Sequence, residues 1–173
     1  MKIKLFSLLI LFGFVSLLTG CEKDDICPET ADATPLLVIR FLDYEDQNDF
    51  QSVPSLTVKG TSEVTNFITR QTTDSIAIPL KTFENFTQYQ FIVNDVDPEA
   101  EENTGPDPNA DLIEFFYVPE EIYENRACGY VVNFTISSAE LLAETPENHW
   151  IKQIEVRQLN VENEASAHIY IYH

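Results

Sequence analysis

The stretch Thr87-Gln88-Tyr89-Gln90-Phe91-Ile92-Val93 alternates between polar and apolar side chains over most of its length. In an extended chain its two aromatic residues and its valine fall on one face, and its two glutamines fall on the other. A period of two in aromatic and β-branched residues is typical of a strand that packs one face on a core. We therefore predict a half-buried β-strand here.

Short runs of the same character continue along the chain on both sides of this strand. Some alternate, and others, such as residues 36–42, are continuous apolar runs too short for a typical helix. Pro79 cannot donate a ladder hydrogen bond, so its strand is predicted to be an edge strand or to end there. The predicted strands cover residues 36–42, 56–60, 64–69, 75–80, 87–93, 112–118, 129–136, 150–159 and 165–172.

The order and spacing of these strands predict the fold class. Short connections favour antiparallel pairing, because a parallel pair needs a long crossover. We expect an all-β domain built as an antiparallel β-sandwich, with an immunoglobulin-like Greek key as the first choice and a closed β-barrel as the alternative. Two short helical turns are also expected, at residues 120–123 and, from the capping-box spacing of Ser137 and Glu140, at residues 137–142.

The first 20 residues have the features of a lipoprotein signal peptide. Lys2 and Lys4 precede an apolar run over residues 5–18, which is shorter than the roughly 20 residues of a transmembrane helix. The run ends in Leu-Thr-Gly-Cys, which resembles the bacterial lipobox. That resemblance implies cleavage after Gly20, a diacylglycerol thioether on Cys21 and a third acyl chain on the new amino terminus. The alternative is an ordinary cleaved signal that contains a cysteine by coincidence.

Lys23, Asp24 and Asp25 closely follow the predicted lipidation site. They resemble the lysine-plus-two-acids tag of surface-exported lipoproteins in Bacteroidota. The resemblance implies a lipid-anchored protein on the surface of the outer membrane, and the alternative is retention on its periplasmic face. The predicted organisation is a signal peptide over residues 1–20, a lipidated tether over 21–34 and a single sandwich domain over 35–173.

The chain is strongly acidic, with a formal net charge of −19 that becomes more negative once the two lysines of the signal peptide are removed. Nucleic-acid binding depends on clustered lysine and arginine, so nucleic acid is excluded as a partner. The acidic residues suit a solvated surface or a cationic ligand.

One acidic stretch has part of the pattern of a calcium-binding loop. Asp107, Asn109 and Asp111 are spaced like the first ligands of that loop. Leu112 and Val118, however, stand where the loop needs glycine and glutamate. A weak Ca²⁺ site and a disordered acidic loop are therefore both left open.

The cysteines fit an oxidising compartment. Lipidation of Cys21 leaves Cys27 and Cys128 as a single pair. An isolated pair in the cell envelope predicts a disulfide, with two buried free thiols as the alternative. Cys27 follows Cys21 by six positions, a span of at most about 20 Å. The bridge would therefore hold the domain close to the membrane.

Catalytic patterns are scarce. The sequence has no HExxH or GxSxG motif, so it predicts neither a zinc hydrolase nor a serine hydrolase. No catalytic residue, cofactor or metal ligand is assigned. A glycosidase dyad remains an alternative, because the 29 acidic residues offer many carboxylate pairs.

Two further features concern the surface. The tripeptide Asp-Ser-Ile at residues 74–76 looks like the O-glycosylation signal of Bacteroidota envelope proteins, which would place a glycan on Ser75. His168, Tyr170 and Tyr172 share one face of the last predicted strand. They form either a contact surface, since tyrosine combines an apolar ring with a polar tip, or the covered second face of an interior strand.

Several of these stretches together resemble an uncharacterised family of small flavobacterial lipoproteins, classed as a domain of unknown function. The resemblance implies an envelope compartment and a β-rich domain, and it implies no activity. The stretches that carry it are residues 21–28, 34–41, 74–76, 79–80, 126–130 and 133–134, of which Cys27 and Arg126-Ala127-Cys128-Gly129 are the most specific.

From these patterns we expect a non-enzymatic, membrane-anchored binding or accessory module whose partner is an envelope protein or a glycan. The alternatives are a carboxylate-dependent hydrolase of glycans and a periplasm-facing accessory of envelope assembly. The oligomeric state is not predicted.

Overall fold

The computed structural model describes residues 26–28, 33–61, 66–99, 105–142 and 148–173. This part of the chain contains ten strands and no helix, and so no helix that could cross a membrane. The strands are β1 (Leu37–Leu42), β2 (Val53–Gly60), β3 (Asn66–Thr73), β4 (Ser75–Ile78), β5 (Phe86–Val93), β6 (Asn109–Asn125), β7 (Gly129–Leu142), β8 (Gln153–Val156), β9 (Asn160–Val161) and β10 (Ile169–Tyr172).

The chain divides into two units, which are taken separately. The smaller unit comprises Met1–Ala31 and Asn125–Gly129, and the larger comprises Asp32–Glu124 and Tyr130–His173. The division into a signal peptide over residues 1–20, a tether over 21–34 and a single sandwich domain over 35–173 stays a prediction.

The strands form two sheets that pack together. A four-stranded sheet has the order β4-β1-β10-β8, and a six-stranded sheet has the order β3-β2-β5-β6-β7-β9. The chain changes sheet six times along the order of the ten described strands, and the shortest of these connections is Asp74, the one residue between β3 and β4. The prediction of an all-β sandwich is confirmed. Within the described residues the sheets do not close into a barrel.

One strand pair differs from the expected antiparallel arrangement. β1 and β10 are parallel, with Ile39 opposite Ile169 and Phe41 opposite Ile171. The expectation considered only short connections between neighbouring strands. β1 and β10 are the first and last strands, so the rest of the domain serves as the long crossover that a parallel pair requires. The four-stranded sheet is therefore mixed.

The inner faces of both sheets supply one apolar cluster. In β5 the predicted alternation is confirmed, because Tyr89, Phe91 and Val93 are buried while Gln88 and Gln90 are half-buried. Burying a large apolar side chain contributes about 1.5–3 kcal/mol. The largest fully buried apolar side chains include Phe41 and Ile39 of the four-stranded sheet and Phe91, Phe115 and Phe134 of the six-stranded sheet.

The two predicted helical turns are wrong. Residues 120–123 belong to β6 and residues 137–142 belong to β7, which are the two longest strands. The capping-box spacing of Ser137 and Glu140 is a local signal for the start of a helix. Here residues 129–142 continue as a long strand of the six-stranded sheet, and sheet pairing overrides that local preference.

The predicted disulfide is confirmed within the smaller unit. Cys27 and Cys128 are bridged, with their Cα atoms 4.7 Å apart. Asn125 begins the turn that carries Cys128, since its Oδ1 accepts hydrogen bonds from the backbone N–H groups of Ala127 and Cys128, both at 2.9 Å. Gly129 ends the turn with a φ of +76°, a conformation that glycine adopts without steric cost.

Candidate functional site

A row of four side chains crosses the outer face of the four-stranded sheet. Ser75 of β4 lies opposite Arg40 of β1. Arg40 lies opposite Tyr170 of β10, which in turn lies opposite Glu155 of β8. Side chains in one such row share a face of the sheet. The residues on either side of Tyr170 are fully buried in the core, so the row points away from it.

Phe50 reaches the same face from the loop between β1 and β2. It pairs with Leu42 as an isolated bridge, which folds the loop back over the sheet. Asp43 braces the loop by accepting hydrogen bonds from two of its backbone N–H groups, at 2.6 and 3.0 Å, and these bonds lower the pKa of the Asp43 carboxyl. The Phe50 ring remains 53% exposed. A large aromatic side chain is thus held in solvent by an ordered loop.

Phe50 and Tyr170 together form a ridge between two grooves, because both residues line each groove. The larger groove has a volume of about 550 Å³ and is also lined by Gln47, Asn48, Glu155, Arg157 and Tyr172. The smaller groove has a volume of about 250 Å³ and is also lined by Arg40, Ser75, Glu164 and Ser166. All of these residues belong to the larger unit.

The charges in the larger groove are paired with each other. Arg157 Nη1 donates to Glu155 Oε1 at 2.9 Å, and Tyr172 OH donates to Glu155 Oε2 at 2.8 Å. The first of these bonds is the main reason that the pKa of Glu155 is lowered. Burial is the largest cause that raises the pKa of Tyr172, and the hydrogen bond to Glu155 is the second largest. The guanidinium of Arg157 also lies 5.1 Å from the centre of the Tyr170 ring.

The cation of the smaller groove is paired in the same way. Arg40 Nη2 donates to Asp74 Oδ2 at 3.3 Å. The guanidinium carbon of Arg40 lies 3.9 Å from the centre of the Phe50 ring, which is within the range of a cation–π contact. Each ridge ring therefore rests against one arginine, and each arginine has one carboxylate partner. The smaller groove also holds the carboxylate of Glu164, whose Oε1 accepts a hydrogen bond from the backbone N–H of Leu36 at 3.1 Å.

His168, Tyr170 and Tyr172, which share one face of the last predicted strand, are partly covered by the fold and partly available as a contact surface. β10 is an interior strand, and His168 and Tyr172 are buried, whereas Tyr170 is half-buried and lines both grooves. His168 Nδ1 accepts a hydrogen bond from the backbone N–H of Val38 at 3.0 Å. Burial lowers the pKa of His168, so the neutral ring is favoured. From this strip Tyr170 reaches the candidate site as part of the ridge, and Tyr172 reaches it as a lining residue of the larger groove.

The calcium hypothesis is not supported by the positions of its residues. Asp111 is buried, its Oδ2 accepts a hydrogen bond from the backbone N–H of Ile151 at 2.8 Å, and its Oδ1 lies 2.7 Å from Nδ1 of His149. Asn109 donates its side-chain N–H to the carbonyl of Asn148 at 2.7 Å. These groups fasten residues 148–151 to β6. Among the described residues, no cluster of three or more His, Cys, Asp or Glu side chains could hold a metal ion.

The remaining predicted site residues divide into those that the structure describes and those that it does not. Ser75 lies on β4, an edge strand, where its Oγ donates to the carbonyl of Ile39 at 3.3 Å and also lines the smaller groove. The signal cleavage site at Gly20 and Cys21 and the export tag of Lys23, Asp24 and Asp25 lie outside the described residues. Those assignments stay predictions.

Sequence reasoning missed most of the ridge and its surroundings. Phe50, Gln47 and Asn48 come from a segment with no clean hydrophobic period, which predicts only a loop. Arg157 follows β8, and it meets Tyr170 because β8 and β10 are paired. The available signal was two aromatic residues, Tyr44 and Phe50, in an otherwise polar loop, and it does not indicate which strand either ring will cover.

Comparison with known proteins gives one match. Residues 55–173 match the family described as "Family of unknown function (DUF6452)". No curated protein and no solved structure matches the chain. The matched region contains Tyr170, Glu155 and Arg157, and it begins after Arg40 and Phe50.

Proposed function

We propose that this chain, which belongs to the DUF6452 family of unknown function, is a lipid-anchored envelope protein. Its sandwich domain binds a ligand without catalysing a reaction. The observation that carries this proposal is the ridge of Phe50 and Tyr170 between two grooves. Concave sites with aromatic walls and a few fixed polar groups are the usual form of ligand sites. The outer face of the four-stranded sheet is the proposed binding face.

The anchor is supported by the amino-terminal pattern together with the disulfide. Cys21 has the lipobox residues before it, and two or more acyl chains on it would give a stable anchor. Cys27 is covalently bound to Cys128 and lies six positions beyond Cys21. Six positions span at most about 20 Å, so the turn that carries Cys128 would stay near the bilayer surface. The tag at residues 23–25 favours the outer surface over the periplasmic face.

The state of the acids on the binding face supports a role in binding over hydrolysis. A glycosidase needs one carboxyl group with a raised pKa to act as a proton donor. Glu155 has the opposite property, because its bonds to Arg157 and Tyr172 lower its pKa. Asp74 is engaged with Arg40. The carboxylates of this face therefore serve to fix arginines and polar groups in place.

The anchoring part of the proposal can be tested in cells. We would compare the wild type, Cys21→Ala and a triple variant with Lys23, Asp24 and Asp25 changed to alanine, using labelled fatty acid, fractionation and protease shaving. We expect label on the wild type, no label and release from the membrane for Cys21→Ala, and shaving of the wild type but protection of the triple variant. Lysed cells serve as the digestion control.

Two results would count against parts of this proposal. A wild type without label, or a Cys21→Ala variant that stays in the membrane, would overturn the anchor. Protection of the wild type on intact cells, with digestion only after lysis, would place the protein on the periplasmic face and direct the search for partners to envelope assembly.

A further inference from the structure

We infer that the ridge and its two grooves bind an uncharged oligosaccharide that crosses the ridge and places sugar units in both grooves. This inference rests on the proposed binding function and names the ligand class of that same face.

The polar groups of the larger groove match the hydrogen-bonding pattern of a sugar. Gln47 and Asn48 offer amides that both donate and accept, Glu155 offers two acceptor oxygens and Arg157 offers a planar set of donors. Neighbouring hydroxyls on a sugar ring form pairs that such planar, two-pronged groups can bind together. Glu155 and Arg157 already hold each other at 2.9 Å, so their orientation is set before a ligand arrives.

The ridge supplies the apolar surface that a sugar also needs. One face of a pyranose ring carries mainly C–H groups, which pack against aromatic rings. The Phe50 ring is 53% exposed, and Tyr170 lies half-buried beside it in both grooves. The guanidinium of Arg40, 3.9 Å from the centre of the Phe50 ring, limits rotation of that ring. An extended saccharide can therefore contact the rings at the ridge and polar groups on either side.

Charge indicates that the saccharide is neutral. Arg40 and Arg157 are each paired with a carboxylate, so neither groove offers an uncompensated cation to a sulfated or acidic sugar. The chain as a whole carries a formal charge of −19, which repels anions further. The polar lining of the larger groove equally disfavours a purely apolar ligand.

The position of the grooves separates a saccharide from a peptide. Extended peptides gain much of their affinity from main-chain hydrogen bonds along the edge of a sheet. Here the row from Ser75 through Arg40 and Tyr170 to Glu155 runs across all four strands on the face of the sheet. The centre of the row, Arg40 and Tyr170, lies on interior strands that are paired on both sides, so side chains must provide the recognition there.

The same sugar chemistry has two sources that the experiment must distinguish. One is an oligosaccharide that arrives from outside, and the other is a glycan carried by the chain on Ser75, whose hydroxyl lines the smaller groove. The intact mass of the full chain, purified from membranes in detergent, shows whether the chain carries a glycan of its own. If the wild type carries added sugar that is absent from Ser75→Ala, the unmodified Ser75→Ala chain is used for the binding assays.

Affinity electrophoresis and calorimetry of that full chain against neutral starch, xylan, laminarin and galactomannan test the inference. We expect at least one of these polysaccharides to bind, with affinity reduced tenfold or more by Phe50→Ala. Glu155→Gln should also weaken binding, because it removes the charge that orients Arg157. The matched control is Phe83→Ala, since Phe83 is 88% exposed and lines neither groove. An unchanged Tm of Phe50→Ala would show that its fold is intact.

The outcomes distinguish the inference from the proposed function. Failure of all four polysaccharides to bind, or equal affinity for Phe50→Ala and the wild type, would overturn the saccharide inference. The anchor assays with Cys21→Ala do not depend on that result. A folded, anchored chain that binds an envelope protein through the same face, and no saccharide, would leave the proposed function standing and end the inference.

Discussion

The two sheets of the sandwich present different outer faces. On the six-stranded sheet, Gln88 of β5 lies opposite Glu114 of the next strand β6, and the two side chains are hydrogen-bonded at 2.9 Å. On the four-stranded sheet, Arg40 lies opposite Tyr170, a residue from the other end of the chain. β5 and β6 follow one another along the chain and pair in an unbroken register over residues 86–93. β1 and β10 come from opposite ends of the domain, and the loop that carries Phe50 folds over the face on which they meet.

Phe50 illustrates this difference. The loop that carries it begins where β1 ends, and β1 pairs with strands from elsewhere in the sequence on both sides. The loop therefore lies over residues that are far away in sequence, such as Tyr170. The candidate site therefore lies where the first and last strands of the domain meet. Four measurements test this contrast between the two faces.

The largest expected effect tests whether the two faces share one core. Phe41 and Phe115 are both fully buried, one in each sheet. Changing either to alanine should lower the free energy of unfolding by about 3–5 kcal/mol. Denaturant unfolding followed by circular dichroism and by the fluorescence of Trp150, whose ring centre lies 6.4 Å from that of Phe41, should give one coincident transition. Separate transitions, or a Phe41→Ala cost below about 1 kcal/mol, would mean that the sheets are independent.

The disulfide should have a smaller effect that involves both sheets. The bridge closes a loop with a sequence separation of 101 residues, which contains strands of both sheets. Changing Cys27 and Cys128 to serine together should cost about 2–4 kcal/mol by freeing the unfolded chain. Tm and denaturant midpoints of the double variant and the wild type measure this cost. An unchanged stability would show that the bridge does not constrain the unfolded state.

Acid should weaken the four-stranded sheet in particular. Burial lowers the pKa of His168 and of His173. This effect is larger than the opposite effect of the nearby carboxylates, which are Glu164 for His168 and Asp43 for His173. At pH values between the folded and unfolded pKa values, the unfolded chain therefore binds more protons than the folded chain does. The contribution of the two neutral histidine rings to stability is complete above about pH 6.5 and is lost as the pH falls toward the folded pKa. We expect Tm to fall between pH 7.5 and pH 5.

A double variant with His168 and His173 changed to glutamine is the control for the acid effect. Its Tm should start lower, because the hydrogen bond from the backbone N–H of Val38 is altered, and should then depend less on pH. Amide protection factors, which are corrected for the intrinsic pH dependence of exchange, should fall with acid in β1 and β10 more than in β5 and β6. A variant with the same pH slope as the wild type would contradict the assignment to these histidines.

The smallest expected effects come from single polar side chains on the two faces. Gln88→Ala on the six-stranded sheet and Glu155→Ala on the four-stranded sheet should each cost about 0.2–1 kcal/mol, the range of cross-strand pairs. Their effects on ligand binding should differ, since Glu155 lines the larger groove beside the ridge, whereas Gln88 lines a separate pocket away from it. Thermal unfolding and binding of both variants provide the comparison. Equal losses of binding would remove the distinction between the faces.

The sequence predicts features that depend on local patterns better than features that depend on which distant strands become neighbours. Residues 87–93 alternate with period two, a local pattern that survives folding, and the pairing of Cys27 with Cys128 followed from elimination among three cysteines. The grooves depend on which strands become neighbours, and β1 and β10 are joined only through the whole domain. The capping-box pattern at Ser137 and Glu140 misled because sheet pairing outweighs a helical turn. Phe50 carried no signal of the surface that it covers.

Hydrogen–deuterium exchange of the full chain, with and without a neutral polysaccharide from the binding panel, tests whether the ridge and its grooves are the binding site. We expect slower exchange at residues 47–52, 153–158 and 168–172, and no change at residues 86–93 of the six-stranded sheet. Protection centred on the six-stranded sheet, or no protection anywhere with a polysaccharide that the chain retains, would contradict the assignment of the binding site to the ridge.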